Sequence, residues 1–171
     1  MGDHTAMLPY ELLSEFSIKI YEPPLNEIRD NGEITDLSNP IAVMMLVQYF
    51  QTEVEMGGIG SFLGNRTGVF ANETVEALKN IGCDSQAATL KQILTIAAAA
   101  GMTHDAIQED RSQLPEFAVT SFSDLHGDKW ADASDKIEAL DSEIDYDELS
   151  DRAEKFVELH AEAFQEAVSE E

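Results

Sequence analysis

Residues 40–58 read PIAVMMLVQYFQTEVEMGG, and this stretch decides the fold. Ser38 or Asn39 can cap a helix here. Pro40 is tolerated in the first turn, where its missing N–H would have no intrahelical partner. No charge appears until Glu53. A helix that is apolar on all sides is one that other helices surround. The stretch therefore predicts the centre of a helical bundle, ended by Gly57-Gly58. Its longest apolar run, Ile41 to Val47, is far shorter than the roughly 20 residues a membrane span requires.

Outward from this centre the pattern stays helical. Upstream, Leu8, Leu12, Leu13, Phe16 and Ile20 recur at helical spacing, Pro23-Pro24 ends that helix, and residues 25–37 read as a loop. Downstream, Ile59 to Leu63 is a short apolar piece, and Asn65 to Gly68 form a turn. Asn72 can cap a helix through Ile81, with Gly82 placed to end it in a left-handed conformation. Asp84 or Ser85 can cap a helix to Ala100, which Gly101 ends, and Thr103 starts a shorter one that stops before Pro115. His126-Gly127 marks a turn, Lys136 to Leu140 look helical, and a last helix runs from about Asp147 towards Glu170. Strand alternation is almost absent, and Asn31-Gly32 lies in a polar segment rather than between β-branched runs. The expectation is an all-α fold, one compact bundle of about six to eight helices, with residues 1–171 as a single domain.

Composition narrows the function. The 171 residues are 43% hydrophobic, enough for a core and against wholesale disorder. The start, Met1-Gly-Asp-His4, lacks a basic region followed by an apolar one, so no secretory signal is read. A single cysteine, Cys83, cannot form an internal disulfide, and a reducing cytoplasmic setting is expected. The charge is −24, from 34 acidic and 10 basic residues. Such a field repels nucleic acid and anionic membranes and attracts a basic protein. Solubility alone would spread the acids evenly. Instead, residues 1–100 carry 13 acids against 5 bases and residues 101–171 carry 21 against 5.

The middle of the chain carries a resemblance. Glu53-Val54 ends a helix, Gly57-Gly58 breaks it, Phe62 and Asn65 stand in a turn, and Ala77-Leu78 with Ile81-Gly82 close a second helix. This pattern resembles a bacterial acidic DNA-mimic protein family and its C-terminal-domain-like helical domain. Leu140-Asp141 through Phe156 is weakly similar to the family's C-terminal part. The chain departs from the pattern at Met56, Ile59 and Gly64. The resemblance implies an all-α fold and frequent dimerisation. For the acidic members it also implies competition with DNA for a transcription factor. Glu53, Gly57, Gly58, Phe62, Asn65 and Gly82 are its structural motif.

The last predicted helix holds the most regular pattern. Glu154, Glu158, Glu162, Glu166 and Glu170 are spaced by four, and Glu148 and Asp151 extend the line backwards. Each step rises about 6 Å and winds roughly 40° around the axis. Phosphates along a DNA strand stand about 6 to 7 Å apart, so such a row can face the lysines and arginines that hold a backbone. The opposite face is apolar: Leu149, Ala153, Phe156, Val157, Ala163, Phe164 and Ala167. The bland alternative is a solvated helix face. A second acidic group, Asp124, Asp128, Asp132 and Asp135 with Glu138 to Asp147, is expected to widen the same surface.

Chemistry-bearing motifs are weak. The alternation Asp141, Glu143, Asp145, Asp147 resembles a calcium loop but has Tyr146 where glycine is needed and Arg152 where a bidentate glutamate is needed. His4, His104, His126 and His160 are scattered, without zinc spacing. His160 reads as a core or dimer-interface histidine and Cys83 as a small buried residue. Gly57 to Gly60 lacks the strand and lysine of a phosphate loop, and Ser61 lacks the setting of a nucleophile elbow. The reading is a non-enzymatic, cofactor-free and metal-free inhibitor. It binds a basic DNA-binding protein, a transcription factor or else a nuclease toxin, through Glu148, Asp151, Glu154, Glu158, Glu162, Glu166, Asp128, Asp132 and Asp135. The rival of another class is a small-molecule or enzymatic module at the Gly57-Gly58 corner. A cavity lined by Tyr49, Glu53 and Asn65 would favour that rival.

Overall fold

The computed structural model describes residues 7–113 and 122–169. In chain order the helices are α1 (Pro9–Lys19), α2 (Leu25–Asp30), α3 (Pro40–Gly64), α4 (Ala71–Asn80), α5 (Asp84–Ala99), α6 (His104–Ser112), α7 (Phe122–His126), α8 (Ala131–Asp141), α9 (Tyr146–Leu159) and α10 (Ala161–Ser169). Short 3-10 turns cover Glu33–Thr35, Arg66–Phe70 and Gly127–Trp130. No strand occurs among the described residues, and the fold is all-α. The count passes six to eight because α2 and α7 are very short and the last predicted helix is divided in two. No helix among the described residues is long and apolar enough to cross a membrane.

α3 is the axis of the bundle. Asn39 caps it, its side chain accepting from the Ile41 N–H at 2.9 Å, with Pro40 at the first position. Every residue from Ile41 to Phe50 is buried. α4, α6, α8, α9 and α10 all pack on α3, α5 bridges α4 and α8, and α1 lies against α9 and α10. That arrangement uses the all-round apolar character of residues 41–50 and explains why no charge is tolerated there.

The glycine pair bends α3 rather than ending it. Gly58 has φ 73° and ψ 178°, a region essentially closed to residues with a Cβ, and helical structure resumes to Gly64. Gly57 has ordinary φ, and a Cβ there would meet only the Ser61 side chain, at 2.7 Å. Gly58→Ala should therefore cost about 1–3 kcal/mol of stability, and Gly57→Ala should also destabilise, because the Ser61 Cβ is fixed by its own backbone and would have to shift. Urea midpoints of the two variants check this, and a Gly58→Ala midpoint equal to the parent's would remove the backbone argument. Gly68 is tighter still, because a Cβ would run into the Phe62 and Leu63 carbonyl oxygens.

Several local expectations change. Residues 25–37 are not a plain loop. Burial of Leu25 and Ile34 at 5% and 0% exposure folds them into α2 and a 3-10 turn. α1 ends at Lys19, short of Pro23-Pro24. Asn72 sits inside α4, because the 3-10 turn Arg66–Phe70 runs straight into that helix and leaves Phe70 at the cap position. Cys83 occupies the cap of α5, with Asp84 at its first position. Gly82 and Gly101 take φ of 84° and 74° after α4 and α5, and Thr103 caps α6. Pro115 lies outside the described residues.

An ion cluster holds α6 to the end of α7 and the turn after it. Asp110 Oδ2 lies 2.5 Å from Lys129 Nζ and 3.0 Å from Nδ1 of the buried His126. Lys129 and then His126 hold the Asp110 carboxyl below its ordinary value of 3.8. A depressed carboxyl stabilises the fold above the ordinary carboxylate range, and the contribution is lost as pH falls through the folded value. Asp110→Asn should lower the melting temperature at neutral pH, and the gap to the parent should narrow as pH falls below the ordinary carboxylate value of 3.8. Thermal unfolding over a pH series measures it. A gap independent of pH would mean that the carboxylate charge is not what matters.

Candidate protein-binding face

Asp145 starts the C-terminal pair of helices. Its Oδ1 accepts from the Glu148 N–H at 2.9 Å, the bond that caps α9. Leu149, Ala153 and Val157, one turn apart, are wholly buried, and Phe164 and Val168 continue the seat on α10. Phe164 meets Phe16 of α1 edge-on, with centroids 5.0 Å apart. Lys19 Nζ donates to the Val168 carbonyl at 2.6 Å, satisfying one of the carbonyls orphaned at a helix end.

The acidic residues face away from this seat. Glu154, Glu158, Glu162 and Glu166 are all exposed, as is Asp151. They do not form one winding line on a single helix, as the spacing predicts. At His160 the backbone leaves helical geometry, with φ −119° and ψ 26°, and its N–H is shared between the Phe156 and Val157 carbonyls at 3.2 Å each. Glu154 and Glu158 therefore sit on α9, and Glu162 and Glu166 on α10. Glu170 lies outside the described residues. The break changes the electrostatics of the row. Glu158 stands near the carbonyl end of α9, where no basic residue compensates it, whereas Glu162 falls in the first turn of α10, where the helix dipole favours an anion.

Other expected members of the face have different jobs. Glu148 is half-buried. It accepts from Gln86 Nε2 of α5 at 2.9 Å and lies 3.6 Å from Arg152, so it ties α9 to α5 rather than standing free. Asp128, Asp132 and Asp135 are exposed, but they belong to α8 and the 3-10 turn before it. Asp128 and Asp132 share a hollow of about 480 Å³ with Lys129 and Lys136. Asp141 accepts from the Tyr146 hydroxyl at 2.6 Å, and burial raises the Tyr146 pKa above its ordinary value. With Asp145 capping α9, two carboxylates of the calcium-like alternation are committed to local structure. Among the described residues no group of three or more histidine, cysteine or acidic side chains is arranged to hold a metal.

His160 is exposed, which corrects its reading as a core residue and leaves the dimer-interface reading standing. Its ring lies tilted on Phe156 at 4.5 Å. The helix break carries it out of the apolar seat. Cys83 is buried, and that burial, with the nearby Glu148 charge, pushes its thiol up to about 11, so it stays protonated.

The Gly57-Gly58 corner is tied across its bend. Asn65 Nδ2 donates to Glu53 Oε2 and to Ser61 Oγ, and Arg111 of α6 donates to Asn65 Oδ1 at 2.6 Å. Phe50 and Phe62, on either side of the bend, meet edge-on at 4.9 Å. Tyr49 is spent on the Ile20 carbonyl at 2.7 Å. Glu53, Phe62 and Asn65 thus clamp the two arms of α3. The structure adds Arg111, which α6 brings to Asn65 from 46 positions away. A cavity of about 310 Å³ lies beside Gly57–Gly60, between Ile59, Leu63, Met102, Phe122 and Ile137. It does not include Tyr49, Glu53 or Asn65.

A protein family described as DMP19-like protein matches residues 35–167. No curated protein matches the chain, and no solved structure does.

Proposed function

We propose that this chain, which belongs to the DMP19-like protein family, occupies the DNA-binding surface of a basic protein and thereby keeps that protein off DNA. The family's name stands for DNA mimic protein 19, which fits a partner that ordinarily binds DNA. A transcription factor is the partner class we favour, and the role is binding rather than catalysis.

One observation carries the reading: Glu154, Glu158, Glu162 and Glu166 are all exposed, in two pairs, on successive helices docked by their other side. Within each pair the carboxylates rise by about 6 Å, close to the spacing of phosphates on a strand. Between Tyr146 and Ser169 there are seven acidic residues against Arg152 and Lys155, so the field of these helices is strongly negative. Charged contacts of this kind steer and accelerate encounter more than they deepen affinity.

The test is capture of native partners on the immobilised protein, followed by competition. A basic DNA-binding protein should be retained, should elute with salt, and should be displaced by duplex carrying its own site. A captured protein that cleaves nucleic acid would replace this reading with toxin immunity. If duplex never displaces the partner, mimicry is wrong.

A further inference from the structure

The cavity of about 310 Å³ beside Gly57–Gly60 has two unlike ends. Its floor is apolar. Ile59, Leu63, Met102 and Ile137 lie there, each between 2% and 6% exposed, and the Phe122 ring closes one side. Gly60 permits that closure, because a Cβ there would stand 2.9 Å from the ring. At Gly58 a Cβ would meet nothing within 4 Å, so the bend in α3 leaves open space beside it. Along Gly57, Gly58 and Gly60 the wall is bare backbone.

The rim is acidic. Asp135 and Glu138 stand one turn apart on α8, both exposed and both lining the cavity. Neither carboxylate has a hydrogen-bond or ion-pair partner among the described residues. Asp141, the third carboxylate of the lining, accepts from the Tyr146 hydroxyl. No lysine or arginine among the described residues lines this cavity. The hollow of Asp128 and Asp132 differs, since Lys129 and Lys136 stand in it. Like charges one turn apart on a helix repel, and a cation at the rim would relieve that repulsion.

We infer that this cavity binds a small organic amine, with its apolar body on the floor and its ammonium between Asp135 and Glu138. The order of the two ends selects this class of ligand. A lysine or arginine side chain entering from another protein would carry its charge inward, onto Ile59 and Met102, where an unpaired charge is costly. An anion would be repelled at the rim, and a neutral apolar molecule would leave the two carboxylates uncompensated. Ligand pockets run from about 300 to 1,000 Å³, so this one suits a body of one ring or one branched chain. The site lies apart from the α9 and α10 glutamates and stands independently of the proposed function.

Phenethylamine, its neutral analogue phenethyl alcohol, and methylamine test this on the full chain, in titrations followed by methyl resonances. A surface of charge −24 gathers any cation weakly, so the location of the shifts decides. Phenethylamine should shift the methyls of Ile59, Leu63, Met102 and Ile137 to saturation, and methylamine should leave them in place. Phenethyl alcohol should shift the same methyls but bind roughly tenfold more weakly, for want of a charge-assisted contact. High salt should narrow that ratio, because the carboxylates are exposed. Asp135→Asn combined with Glu138→Gln should abolish the preference and leave the binding of the alcohol unchanged. Equal affinities for amine and alcohol, or a preference that survives the double variant, would overturn the ammonium site. Shifts confined to residues outside the cavity, or no shift from any probe, would overturn the cavity itself.

Discussion

A chain carrying Met45→Asp is expected to lose cooperative unfolding altogether, and Leu46→Asp should do the same. Both side chains lie at the centre of α3 with 0% and 1% exposure. α3 contacts five other helices, so no local rearrangement can bring a carboxylate there to water. An uncompensated buried charge costs about 3–5 kcal/mol, and the lost packing of a large core side chain adds about 2–5 kcal/mol. Together these match the whole stability of a typical domain, about 5–15 kcal/mol. Circular dichroism melts and amide spectra give the answer. A sharp transition retained by both variants would place α3 at the edge of the bundle.

Glu154, Glu158, Glu162 and Glu166 changed together to glutamine should give the opposite pattern: sound folding and failed recognition. Glutamine keeps side-chain length and helix propensity. Relief of repulsion between Glu154 and Glu158, and between Glu162 and Glu166, should raise stability by a few tenths of a kcal/mol, about 0.2–0.5 per pair. Glu158 and Glu162 are separated by the break and should add little. Association with the proposed DNA-binding partner should slow by roughly tenfold or more, and its salt dependence should flatten. Stopped-flow association at several ionic strengths, with melting temperatures alongside, separates the two effects. Unchanged binding at every salt concentration would reduce the row to a solvated face.

Local signals in the sequence carried the architecture well. Asn39-Pro40, Gly58, Gly82, Gly101 and Thr103 act through their own backbone geometry, so nearby residues suffice to place them. α2 was hidden because six residues, Leu25 to Asp30, carry too little periodicity. Its reason for being helical is the burial of Leu25 and Ile34, which only the tertiary fold provides. The break at His160 had no signal either. Residues 149, 153, 157, 164 and 168 keep helical phase across it, and no glycine or proline marks it. The acidic face was legible as spacing but not as partnership. Glu148 meets Gln86 from 62 positions away, and nothing near Glu148 distinguishes it from Glu154.

The contact of Phe16 with Phe164, and of Lys19 with the Val168 carbonyl, makes a clasp between the first helix and the last. The family match begins at residue 35, so half of that clasp lies outside it. α10, with its repelling pair of glutamates, is thus held shut by a segment remote in sequence. Peeling it away breaks its contacts with α1 as well as those with α3 and α9, so loosening of α1 loosens α10. A fragment trimmed to residues 35–167 would lose α1, Lys19 and Val168 together, and with them the latch that sets the angle of half the acidic face.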